Sequence, residues 1–213
     1  MKPAPRRSFL IVGCSALLLA GCISVDIGSS DSNVRAQYRL HDLAPAPGRA
    51  DRPVTRSLVV VALPSPGIGD TFSMAYSRAP QQRALYQNAS WADRPSNRTV
   101  QLLVRRIDAR ASFASVAELG SGVRGDLLLN VTIDELLHDT VAARGRLELT
   151  AELVDRATRT LVARRRFSAE APVAQEDARA TVEALSRALT SVLDDLVPWL
   201  EAAAGKLPAA AAR

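Results

Sequence analysis

The residues with the clearest chemistry are Leu19-Ala20-Gly21-Cys22, which close an apolar run near the start of this 213-residue chain. Small residues directly before a cysteine let a peptidase reach the backbone between Gly21 and Cys22. The sulfur of Cys22 can then take a diacylglycerol through a thioether bond, which is how bacterial lipoproteins mark the residue that becomes their N-terminus. The upstream segment supplies the rest of the signal. Lys2, Arg6 and Arg7 form a positive leader, and residues 8–20 form an apolar run. That run has signal-peptide length and falls short of the ~20 apolar residues a membrane span needs. The pattern predicts cleavage between Gly21 and Cys22 and lipidation of Cys22, with palmitate as the further acyl chain. Two or more chains, at ~0.8 kcal/mol per buried methylene, hold a protein on a bilayer almost permanently. Ile23 stands where an Asp retains many Gram-negative lipoproteins at the inner membrane, so the expected location is the periplasmic face of the outer membrane.

No other group of residues carries a comparable signal. His41 and His138 are the only histidines, and no His-rich, Cys-rich or DxDxDG pattern offers a metal site. His138, next to Asp139 at the end of an apolar strand pattern, reads as exposed in a turn. Cys14 leaves with the signal and lipid consumes Cys22, so the mature chain forms no internal disulfide. GxSxG, P-loop and GxGxxG patterns are missing. Gly120-Ser121-Gly122 with Gly125 joins two predicted strands without a helix N-terminus to hold an anion, and reads as a hairpin loop. Asp134-Glu135 and Asp194-Asp195 are adjacent carboxylates whose side chains diverge on a strand or a helix. Arg164-Arg165-Arg166 reads as a solvated strand face. The expectation is a protein with no catalytic residue, no metal and no cofactor, hence no enzyme. Loss of Lys2, Arg6 and Arg7 from 27 basic side chains against 22 acidic ones reduces the formal charge from +5 to +2. Nearly all of that positive charge is arginine, a compositional bias, and nucleic acid is not an expected partner.

The elements that must carry these residues follow from periodicity. Residues 1–21 are the signal and 22–36 the lipidated cysteine with a Ser-, Asp- and Gly-rich tether. As a flexible coil the tether reaches ~20 Å. Residues 37–201 form the folded domain, and 202–213 an alanine-rich tail. Short strands are predicted near 38–43, 57–63, 72–76 and 113–117, with 81–91 irregular. Strict alternation from Leu127 to Asp134 and from Leu147 to Leu153 marks two longer strands with one apolar face each. A further strand at 160–169 carries Leu161, Ala163 and Phe167 on one parity, but Arg165 shares it, so the strand has either a bulge or an incomplete apolar face. Two amphipathic helices follow from stripes at 3.6-residue spacing. The first covers 95–109, with Pro95 at its first position and Val100, Leu103, Val104 and Ile107 in line. The second covers 175–200, with Pro198 expected to kink or end it and Trp199 expected in the core. These pieces predict an α+β fold: a mainly antiparallel sheet with both helices packed on one face. Phe72, Met74, Tyr76 and Trp91 are the expected exposed apolar surface for a partner.

The sequential set of pieces resembles the ABC-type transport auxiliary lipoprotein family, which accompanies MCE-type lipid-transport systems in Gram-negative envelopes. The resembling residues are Cys22, Tyr38-Arg39-Leu40 before a proline-rich loop, Leu58 to Leu63 ending in Pro64, and Met74-Ala75-Tyr76-Ser77-Arg78. They continue through Trp91-Ala92, Pro95, Gly125-Asp126-Leu127-Leu128-Leu129, the strand ending at Asp155, Arg166-Phe167 and Trp199-Leu200. The resemblance implies a non-enzymatic adaptor that docks onto an MCE-domain protein and its ABC transporter complex. It also implies that the adaptor helps phospholipid cross between membranes and can form a homo-oligomer. Other outer-membrane lipoproteins with a cofactor-free domain regulate a peptidoglycan synthase or assist assembly of an outer-membrane complex. A tether of fourteen residues is short for the first of these.

Overall fold

The computed structural model describes residues 35–65 and 70–208. The signal, Gly21, Cys22, the tether up to residue 34 and the last five residues of the tail lie outside the described residues. The described residues belong to one compact unit. Its strands are β1 (Ala36–Tyr38), β2 (Val54–Ala62), β3 (Ser73–Ser77), β4 (Ala84–Trp91), β5 (Phe113–Glu118), β6 (Leu127–Asp139), β7 (Arg144–Asp155) and β8 (Thr160–Pro172). Helix α1 (Pro95–Arg110) lies between β4 and β5, and α2 (Ala178–Gly205) follows β8.

The eight strands form one mixed sheet, which overturns the expectation of a mainly antiparallel one. Four pairings are parallel: β1 with β4, β2 with both β5 and β6, and β3 with β6. Only β3–β4, β6–β7 and β7–β8 are antiparallel. The reason is physical: apolar alternation records which face a strand buries, and it is the same for either direction of pairing. Strand β6 is the spine. Its first half lies beside β2, its last two residues beside β3, and β7 runs along its whole other edge.

One face of this sheet makes the core. Leu58 and Val60 of β2, Leu127, Leu129, Val131 and Ile133 of β6, and Leu147, Leu149 and Leu153 of β7 are fully buried. They pack in one cluster with Leu103 and Ile107 of α1 and with Leu185, Leu189, Leu193 and Leu196 of α2. Each such side chain contributes ~1.5–3 kcal/mol of transfer free energy.

Local sequence sets the helix ends. Pro95 occupies the first turn of α1, and the preceding Arg94 gives no side-chain cap. Asp70 does this from a distance, accepting the Ser96 N–H at 2.9 Å and the Ser96 hydroxyl at 2.7 Å. Asp177 caps α2 by accepting the Ala180 N–H at 2.7 Å. Helix α2 starts at Ala178 and runs through Pro198 to Gly205, so Pro198 does not end it. Proline cannot donate to the carbonyl four residues back. The burial of Leu200, Ala203 and Ala204 beyond it keeps the last turns helical. No described helix is long and apolar enough to cross a membrane.

Two segments differ from expectation, and a third, β8, combines both of the alternatives its pattern left open. Residues 84–91 form a strand, held between β1 and β3, although polar residues obscure its alternation. Residues 119–126 are a crossover instead of a hairpin. β5 and β6 lie on opposite sides of β2, and the loop passes from the Leu119 N–H on Val60 O to the Asp126 N–H on Ser57 O. It lies so close to β2 that a Cβ on Gly125 would sit 2.6 Å from Val59 Cγ2. In β8 the register shifts opposite Leu153 and Val154, so the strand does carry a bulge. Its apolar face is also incomplete: Arg165 is exposed, with its guanidinium 4.8 Å from the centre of the Phe167 ring.

Candidate functional site

Phe72, Met74, Tyr76 and Trp91 do not present one exposed surface. Met74 and Trp91 are 1% and 4% exposed and belong to the core. Phe72 precedes β3, outside its pleat, and is 51% exposed under the Arg94 guanidinium at 5.5 Å. Tyr76 is half-buried in an edge-to-face pair with Tyr86 at 5.2 Å. The chain still brings the segments together, since the Trp91 N–H donates to Phe72 O at 2.7 Å. A period of two finds residues that share a face; it does not say what covers that face.

His138 is buried, not exposed in a turn, because β6 continues past Leu136 to pair His138 with Gly145 and Tyr76. Its Nδ1 lies 2.7 Å from the Tyr86 hydroxyl and 3.2 Å from the Thr181 hydroxyl, which itself donates to Asp177 O at 2.7 Å. Burial pulls the imidazole below the ordinary histidine range, with Glu176 and Asp139 opposing weakly. Thr181 is wholly buried as well. The contact is a polar tie between β4, β6 and the first turn of α2. Its members come from three separate elements, so no local pattern could have shown it.

A second polar tie joins the proline-rich loop to both helices. Arg106 of α1 donates to both carboxylate oxygens of Asp42, at 2.7 and 2.5 Å, and to Asp194 of α2 at 2.5 Å. Burial would lower the Arg106 pKa, but the two carboxylates raise it overall. Burial likewise opposes ionisation of Asp42, and Arg106 with the Ala44 N–H outweighs it and lowers the pKa. One helical turn on, Arg110 donates to Glu201, which also accepts from the Ser112 hydroxyl. Spaced four apart on α1, Arg106 and Arg110 thus meet carboxylates of α2 in register. Asp194 and Asp195 diverge, as expected: only Asp194 joins the tie.

An open groove of about 810 Å³ lies below this tie, between residues 50–56 and the end of α2. Its buried cation, Arg56, is paired with Asp155 at 2.8 Å, and Arg110 with Glu201. Among the described residues no three His, Cys, Asp or Glu side chains converge as metal ligands. Arg164 and Arg166 of the arginine run lie near Glu152 and Asp134, at 3.3 and 3.7 Å, on the solvated side of the sheet.

Comparison with known proteins places this arrangement. The family described as the ABC-type transport auxiliary lipoprotein component matches residues 38–197. A Xanthomonas campestris protein of the DUF330 family has a crystal structure similar to the fold, with TM-score 0.68 and 21% identity, over 82% of this chain and 96% of that one. A second solved structure, of an uncharacterised protein, gives TM-score 0.62 and 16% identity over 78% of this chain and 99% of that one. At these identities the structures speak for the fold alone. No curated protein sequence matches the chain.

Proposed function

The chain belongs to the ABC-type transport auxiliary lipoprotein family, and from this premise we propose that it is a non-enzymatic adaptor of an MCE-type lipid-transport system. As a lipoprotein of that family it is anchored at the cell envelope. In this reading the signal is removed before Cys22, and diacylglycerol and palmitate anchor the mature chain to the periplasmic face of the outer membrane. Residues 23–36 give the domain reach, and the domain docks on an MCE-domain protein bridging from the inner-membrane transporter. ATP hydrolysis belongs to the transporter, and this chain supplies position.

The family match over residues 38–197 carries the reading, together with the Leu19-Ala20-Gly21-Cys22 box upstream of it. The character of the domain's polar groups supports it. Arg56, Arg106 and Arg110 are matched by carboxylates of other elements, and buried Arg98 donates to the Leu40 carbonyl. A domain of this kind offers a stable shape to a partner.

The test is affinity purification of the tagged, full-length lipoprotein from membranes solubilised in mild detergent. The expected result is co-purification of an MCE-domain protein with its permease and ATPase. Recovery of a peptidoglycan synthase instead, with none of those components, would overturn the proposal.

A further inference from the structure

The sheet face turned away from the helices is mostly polar, with one exception. Across four neighbouring strands the register aligns Val59 of β2, Leu128 of β6, Val154 of β7 and Leu161 of β8 in a single apolar row. The residues flanking Leu128 and Val154 in sequence, Leu127, Leu129, Leu153 and Asp155, are buried, so the row belongs to the opposite side of the sheet from the core. The next row on the same side is Val61, Asn130, Glu152 and Arg164, and beyond it stand Thr132, Thr150 and Arg166. The crossover loop covers Val59 through Gly125 and leaves Leu128 and Val154 half-buried and Leu161 56% exposed. The same loop adds Leu119 and Val123, so three of the exposed large apolar side chains of the domain belong to this row and its loop.

The charge around the row is lopsided. Arg124, Arg156 and Arg159 are all exposed, and none forms an ion pair with a described residue. Arg156 stays beside the loop by donating to Gly125 O at 3.1 Å. At the far end of the same strands, Arg83, Arg144 and Arg146 are matched by Glu135, Asp139 and Glu170. Near the row the acids are Glu118, Asp126 and Glu152; Asp126 accepts the Ser57 N–H and hydroxyl, and Glu152 is matched by Arg164 at 3.3 Å. An apolar strip edged by arginines that lack an ion pair among the described residues complements an apolar strip edged by carboxylates.

From this we propose that the Leu128–Val154–Leu161 row and its arginine rim dock an amphipathic, acid-flanked segment of the transport partner. The inference rests on the adaptor reading and adds the partner's chemistry to it. Direction of the chain favours a protein over the anchoring bilayer. Strand β1 is parallel to β4 and hence antiparallel to β6, so the chain enters the sheet toward the end where β6 passes into β7. The row lies at the other end, where β6 begins.

The experiment places a photoreactive residue at position 161 of the full-length lipoprotein in cells, with a control at Glu148 on the polar part of the same sheet side. The expected adduct at 161 joins a peptide of the co-purifying transport complex whose apolar residues are flanked by Asp or Glu, and position 148 gives none. Arg124→Glu with Arg156→Glu lowers its yield on the order of tenfold with the thermal midpoint unchanged. If that pair misfolds, Leu161→Asp with the photoreactive residue moved to 123 gives the same readout. Adducts with lipid alone, adducts with a second copy, equal yields at 148 and 161, or no adduct would each overturn the docking surface. If the complex co-purifies while position 161 stays silent, the surface fails and the adaptor reading stands. An acid-flanked adduct from another protein, without that complex, keeps the surface and removes the adaptor reading.

Discussion

Burial lowers the pKa of the His138 imidazole in the folded chain, and this couples stability to pH. Its folded pKa lies below its unfolded value, with burial the chief cause. The unfolded chain therefore binds more protons in acid, and stability is complete above the unfolded pKa near 6.5 and falls as pH drops from there toward the folded one. Thermal unfolding followed from pH 8 to pH 5 should show this decline, no steeper than about 1.4 kcal/mol per pH unit from one site. His138→Gln should be less stable at pH 8 and should lose the slope between pH 7 and 5.5. An unchanged slope would assign the dependence to other groups. The Arg106 tie behaves differently. Arg106→Ala leaves Asp42 partly buried without its cation, and a loss of about 3 kcal/mol is expected in denaturant unfolding. Asp194→Asn should cost under ~1 kcal/mol, because Asp194 is 60% exposed. Equal losses for the two would contradict the assignment of Asp42 as the principal partner.

Elements are held in place by close approaches that only glycine permits. At Gly125 the crossover loop lies against Val59, and at Gly145 a Cβ would meet Ala184 Cβ and the Leu185 N–H nitrogen at 3.1 Å. Gly125→Val should lift the loop from β2, and Gly145→Val should push α2 off β7, each costing on the order of 1–3 kcal/mol. Gly205→Ala has open space and should be near neutral. Chemical denaturation of the three variants checks the order. The same scale shows what the sequence made legible. Alternation over 127–134 and 147–153 identified the buried side of β6 and β7 residue by residue, and the Val100–Ile107 stripe located α1. Strand direction was illegible, because parallel and antiparallel pairing bury the same alternation. β4 was illegible because Gln87, Asn88 and Ser90 break its apolar pattern. His138, Met74 and Trp91 were placed outside the core because what covers them comes from distant segments. The lipidation expected at Cys22 rests on four consecutive residues that lie outside the described ones.

At the scale of the whole molecule, the described residues belong to one compact unit, which in the proposed reading acts where it is held. Lipid chains at Cys22 would fix its location, and the exposed row at the start of β6 would fix its partner. The family match covers residues 38–197, and the fold recurs in a solved structure at 21% identity. On the proposed anchoring, Cys22→Ala should leave the domain folded with the same thermal midpoint while releasing it from the membrane fraction, since position 22 precedes the matched residues 38–197. The most direct test of the central claim follows labelled phospholipid between separated inner and outer membranes in three strains: wild type, a strain lacking the protein, and one carrying Cys22→Ala. The account predicts slower transfer in both altered strains and recovery when the wild-type chain is returned. Equal transfer in all three would contradict it.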